Sequence, residues 1–137
     1  MLGPHVVDLL SRAIRNAGAR EICGFLLSSP DGEQQLRLVS NWASMPGSFI
    51  VGESEVQRIE RCAERERLQI QAFVHSHSSV LELSEEDNRG IRSSDLPWIL
   101  VKLDGDQLTY AVYELDGEPS TILRVSGPSG SGSLSGG

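Results

Sequence analysis

The sequence predicts an α/β domain with a mixed central β-sheet flanked by helices. Three observations predict it. Segments of helical periodicity alternate with short apolar runs, in the order helix, two strands, helix, strand, helix, strands. Two turn signals, Ser-Pro-Asp-Gly-Glu at 29–33 and Asp-Gly-Asp at 104–106, each lie between strand-like runs and mark hairpins. The chain has 137 residues, 39% of them hydrophobic and 23% charged, which suits one domain with its own core.

Each element has a local reason. Residues 5–16 read as an amphipathic helix: Val6, Leu9, Leu10, Ala13 and Ile14 recur at helical spacing, with Pro4 near the start and Gly18 just past the end. Residues 21–28, EICGFLLS, are an almost continuous apolar run and suit a buried strand; 36–40, LRLVS, alternate and suit its hairpin partner. Residues 41–52, NWASMPGSFIVG, form an irregular connection with a brief strand at 49–51. A second helix starts at Ser54 as N-cap, carries Val56, Ile59, Cys62 and Ala63 on one face, and ends near Leu68. Residues 70–76, IQAFVHS, are the next strand. The helix expected over 84–91 opens with Ser-Glu-Glu-Asp, where Ser84 can cap and the acids suit the positive end of the helix dipole. Strands follow at 98–103, 108–114 and 121–125. The domain is therefore expected over 1–125. Residues 126–137, nearly all Gly, Ser and Pro, bury too little to offset their ordering entropy and read as a flexible tail.

Charge and cysteine usage narrow the function. The net charge is −7, and the basic residues are scattered rather than gathered into a patch. Nucleic acid and anionic membrane surfaces are therefore not the expected partners. No apolar run approaches the roughly 18 residues of a membrane span. The two cysteines, Cys23 and Cys62, are too few for a disulfide framework and form no Cys-x-x-Cys. They read as free, buried thiols in a reducing compartment, so the expected address is the cytoplasm.

The chemistry concentrates in VHSHSSVLELSEED, residues 74–87. On a strand that runs on to His77, His75 and His77 project to the same side and can grip one ion. Ser84 and Asp87 are three apart and share a helix face. A short loop at 78–83 lets that helix turn back over the strand end, so that two imidazoles and the Asp87 carboxylate converge. Three protein ligands with one open position make the pattern of a catalytic zinc site, in which a bound water becomes acidic enough to attack near neutral pH. Glu21, which opens an otherwise apolar run, is the candidate base, and Ser84 a candidate donor to a developing oxyanion. Singly, each of these residues is more often ordinary: a surface His, a helix cap, a strand-edge carboxylate. Glu85 and Glu86 read as solvated charges at a helix start. The combination, in this order and in these elements, is what points to a metal site.

Glu21 in EICGFLL, His-Ser-His at 75–77 and Ser-Glu-Glu-Asp at 84–87 resemble the JAMM motif of the MPN-plus zinc metalloproteases. Asn41, Pro46 and Phe49 look like the connection that bacterial members carry before their second helix, and the element order fits to about Glu114, so the resemblance covers most of the chain. It implies a single MPN-like, cytidine-deaminase-like domain of the minimal prokaryotic type. It implies that His75, His77 and Asp87 bind Zn2+, that Glu21 is general base and acid, and that Ser84 stabilises the tetrahedral intermediate. The implied activity is that of a deubiquitinase-like isopeptidase. It cleaves the peptide or isopeptide bond after the C-terminus of a ubiquitin-like protein, in deconjugation or precursor processing. That protein or its conjugate is then the substrate partner. The oligomeric state is open, a homodimer included. Ser78 stands where the family usually has Pro, and the six-residue spacer at 78–83 is one shorter than usual. These departures motivate an alternative, a non-catalytic MPN-type module that binds a ubiquitin-like or MPN partner.

Overall fold

The computed structural model describes residues 2–41, 51–77, 95–114 and 119–126. The element order is α1 (Pro4–Ala17), β1 (Cys23–Ser28), β2 (Gln34–Val39), α2 (Glu53–Glu66), β3 (Gln69–Ser76), β4 (Trp98–Asp104), β5 (Gln107–Tyr113) and β6 (Pro119–Ser126). The strands form one six-stranded sheet in the order β2-β1-β3-β4-β5-β6. All neighbours pair antiparallel except β3 and β4, which run parallel. The sheet is thus mixed and the class is α/β, as the sequence predicts. The expected helix over 84–91 and most of the connection at 41–52 lie outside the described residues. Of the brief strand expected at 49–51, only Val51 is described, and it is not in a strand. Ser126 closes β6 opposite Gln107, and the rest of the expected tail, 127–137, lies outside the described residues.

Strand alternation sorts the core into two layers. On one face Cys23, Phe25, Leu27, Phe73, Trp98, Leu100 and Ala111 pack beneath Ile59 and Ala63 of α2. On the other, Leu26, Ala72, Val74, Ile99, Val101, Leu108 and Tyr110 pack beneath Val6, Val7 and Leu10 of α1. Each fully buried Leu or Val contributes about 1.5–3 kcal/mol. β1 and the first half of β4 lie inside the sheet with both faces covered, and so read as apolar runs rather than alternating ones. Tyr110 is fully buried, and its hydroxyl accepts a hydrogen bond from the Leu2 amide at 3.2 Å, which seats the start of α1 on the sheet. No helix among the described residues is long and apolar enough to cross a membrane.

Several element ends differ from the sequence expectation. α2 is capped by Gly52 rather than Ser54: Gly52 is extended (φ −71°, ψ 142°), and its carbonyl accepts from the amides of Glu55 and Val56 at 3.1 and 3.2 Å. The helix start is supported by charge instead of a side-chain cap, with Glu53 and Glu55 in the first turn. It stops at Arg67, in the left-handed region at φ 58°, whose amide reaches back to Glu64. β2 begins at Gln34, two residues early, because the Ser29–Glu33 turn is closed by its own bond from the Ser29 amide to the Glu33 carbonyl at 2.9 Å. β1 begins at Cys23, two residues late, which leaves Glu21 and Ile22 ahead of the ladder.

Both cysteines are buried thiols. The Cys62 thiol donates to the Glu66 carboxylate at 2.8 Å, and Glu66 also pairs with Arg37 of β2 at 3.1 Å, so the end of α2 is tied to the sheet edge. The Cys62 hydrogen bond, and then the charges of Arg37 and Arg65, hold the Glu66 carboxyl below its ordinary range. Its folded pKa is depressed, so the tie contributes above the unfolded pKa and is lost as pH falls through the folded one. In Cys62→Ala the Glu66 carboxyl should titrate at higher pH, nearer the ordinary value, as read by NMR titration of its carboxyl carbon.

At Gly24 the β1 and β2 backbones approach closely: a Cβ there would lie 2.8 Å from the Arg37 carbonyl oxygen and 3.2 Å from Leu38 Cα. The obstacle is mostly backbone, so the strands must part to accept it. Gly24→Ala should cost about 1–3 kcal/mol of stability in a denaturant titration with unchanged m-value. An unchanged midpoint would show that β2 shifts freely.

Candidate metal centre

The site forms where the start of β1 meets the end of β3. β3 is carried into the sheet centre by Phe73 and Val74, and its last residues lie between β1 and β4. His75 stands opposite Cys23 across the β1–β3 pair and beside Leu100 across the parallel β3–β4 pair. His77 falls one residue past β3, but its amide donates to the Val101 carbonyl at 2.8 Å, which continues the parallel register. Both imidazoles therefore face the α2 side of the sheet, as strand alternation predicts.

Glu21 reaches them from just ahead of the neighbouring strand, β1. Its Oε1 lies 3.5 Å from His75 Nδ1, and the two side chains are only 10% and 1% exposed. Ligand atoms of Glu21, His75 and His77 all lie within 4.8 Å of one another. Water is largely excluded here, so a charge on either partner is screened far less than at the surface. The histidine rings meet edge to face with centroids 4.8 Å apart. Trp98, from the start of β4, stands at 85° to the His75 ring with centroids 5.4 Å apart, and Phe73 packs against both. These aromatic walls confine the His75 ring. Two imidazoles beside a carboxylate form a donor set that suits zinc, and the cluster lies at a strand end.

The structure thus brings together three of the five residues singled out in the sequence: Glu21, His75 and His77. Ser84 and Asp87 lie outside the described residues. Trp98 and Cys23 are neighbours of the site to which sequence reasoning gave no place in it. Their place beside His75 follows from the β3–β4 and β1–β3 registers, for which the local sequence carries no signal. Two further side chains support the backbone beside Glu21. Asn41 Nδ2 donates to the Glu21 carbonyl at 2.8 Å, and Ser76 Oγ accepts from the Ile22 amide at 2.9 Å.

A model of the family described as prokaryotic homologs of the JAB domain matches residues 4–113. Among solved structures, the solution structure of a protein from Desulfitobacterium hafniense is similar, with a TM-score of 0.68 and 19% identity over 85% of this chain and 86% of that one. The crystal structure of a JAB1/MPN domain protein from Archaeoglobus fulgidus is similar with a TM-score of 0.57 and 19% identity, over 85% of this chain and 89% of that one. At this identity the two likenesses speak to the fold. No curated protein matches the chain. The family match runs from the first residue of α1 to the last of β5, and so takes in Glu21, His75 and His77. The chain belongs to the family of prokaryotic homologs of the JAB domain.

Proposed function

We propose that this protein is a zinc-dependent hydrolase that cuts the peptide or isopeptide bond after the C-terminus of a ubiquitin-like protein, in deconjugation or precursor processing. The observation that carries this reading is the convergence of Glu21, His75 and His77 within 4.8 Å at a strand end, in a chain of this family. In this reading His75, His77 and Asp87 hold the metal. Zinc, when bound, supplies Lewis-acid polarisation of the scissile carbonyl and acidifies a water. The Glu21 carboxylate takes the proton of the attacking water and returns a proton to the leaving amine, whether a Lys ε-amine or a backbone amine. The Ser84 hydroxyl donates to the developing oxyanion. No covalent enzyme intermediate is needed, so Cys23 and Cys62 have no catalytic task.

Metal analysis and kinetics test the reading. Purified protein should carry about one zinc per chain, as a mononuclear site requires, and His77→Ala should lose it while keeping the fold by circular dichroism. Chelation should then abolish cleavage of a ubiquitin-like fusion, and zinc should restore it. Glu21→Gln should keep the metal yet lower kcat by about 10²–10⁴-fold, the usual contribution of a general base. Undiminished hydrolysis in Glu21→Gln would sink this mechanism. Wild type that binds a ubiquitin-like partner without metal, and cleaves nothing, would favour the binding module that Ser78 and the short 78–83 spacer suggest.

A further inference from the structure

We propose that Ser76 and Asn41 are positioning residues: together they clamp the Glu21–Ile22 peptide group and so set where the Glu21 carboxylate stands against His75 and His77. The inference rests on the functional reading above in taking Glu21 as the reacting base.

β1 enters the regular ladder only at Cys23. The peptide group just ahead of it is held on both edges, and both times by a side chain. Its carbonyl, that of Glu21, accepts from Asn41 Nδ2 at 2.8 Å. Its amide, that of Ile22, donates to Ser76 Oγ at 2.9 Å. The Ser76 amide donates back to the Ile22 carbonyl at 3.0 Å. In a regular antiparallel pair the Ile22 N–H would go to the backbone carbonyl opposite; here a hydroxyl takes that place. In a trans peptide the C=O and N–H point to opposite edges, so one bond on each holds the group in place between its two neighbours. With that group held, the Glu21 Cα is restrained on its C-terminal side, and the direction of its side chain is restricted.

The two anchors come from different elements. Ser76 is the last residue of β3, 4% exposed, and stands between the two histidines. By alternation its side chain leaves the sheet on the α1 side, away from the imidazoles. Asn41 follows β2, and its own carbonyl accepts from Arg20 Nη2 at 3.0 Å, next to Glu21 in sequence. One clamp thus refers the carboxylate both to the strand that carries the histidines and to the sheet edge.

The test combines amide exchange with kinetics on the purified, zinc-loaded protein. Ser76→Ala removes the acceptor, Ser76→Thr retains a hydroxyl, and Asn41→Ala removes the other anchor at a half-buried position. In Ser76→Ala the Ile22 amide should exchange at least about 10-fold faster while amides within β1 keep their protection; Ser76→Thr should preserve it. On a ubiquitin-like fusion, both alanine variants should lower kcat by about 10- to 100-fold, the scale of an ångström-level misplacement. KM and zinc affinity, the latter by chelator competition, should stay near wild type, and Ser76→Thr should recover most of the rate. The proposal is overturned by unchanged Ile22 exchange in Ser76→Ala. It is also overturned by unchanged kcat in both alanine variants, or by a kcat loss that tracks loss of zinc. Failure of the hydrolase reading shows separately, as a wild type that cleaves no modifier fusion whatever the Ile22 amide does.

Discussion

The register of β1 on β3 is the constraint on which the site depends. Cys23 stands opposite His75 and Gly24 opposite Val74. Because side chains alternate, a slip of one residue would turn His75 out of line with Glu21 and drive Val74 into the polar end of the sheet. The register is held by burial on both faces. Phe25 meets Phe73 edge to face at 5.3 Å between centroids on the α2 side, while Leu26 and Ala72 are buried on the α1 side. The apolar core and the polar cluster are thus two parts of one alignment. The same pairing that buries Phe25 sets the carboxylate against the imidazoles.

Much of this was legible in the sequence, because the local signals were strong. The helix at 4–17 declares itself by its apolar stripe and its Pro and Gly flanks, and the runs at β1 and β4 declare buried strands by their apolarity. Element ends were less legible, since they depend on partners. Nothing near Glu21 reveals that β1 starts only at Cys23, because the reason lies in Ser76 and Asn41. Ser54 has the chemistry of a cap, yet Gly52 turns the chain earlier and Glu55 is taken up by the Ser40 amide at 3.1 Å.

The candidate site divides in the same way. His-x-His is readable because strand alternation is a local rule, and Glu21 is readable as a charge opening an apolar run. The 3.5 Å approach of Glu21 to His75 is not readable, since it joins residues more than fifty positions apart. The same holds for Trp98, which stands beside His75 only because β3 and β4 run parallel with Phe73 beside Trp98.

That parallel pair also bears on how the molecule assembles. β1 with β2, and β4 with β5, are hairpins closed by short turns and can form early, at little loop-closure cost. β3 belongs to neither. It must join β1 across the intervening α2 and join β4 in a parallel sense that no tight turn permits. The histidines ride on this strand, so the Glu21–His75–His77 cluster comes into being only when the two hairpins are brought together. A metal ion that favours the assembled cluster would therefore act on the long-range step of folding and hold the seam of the sheet closed.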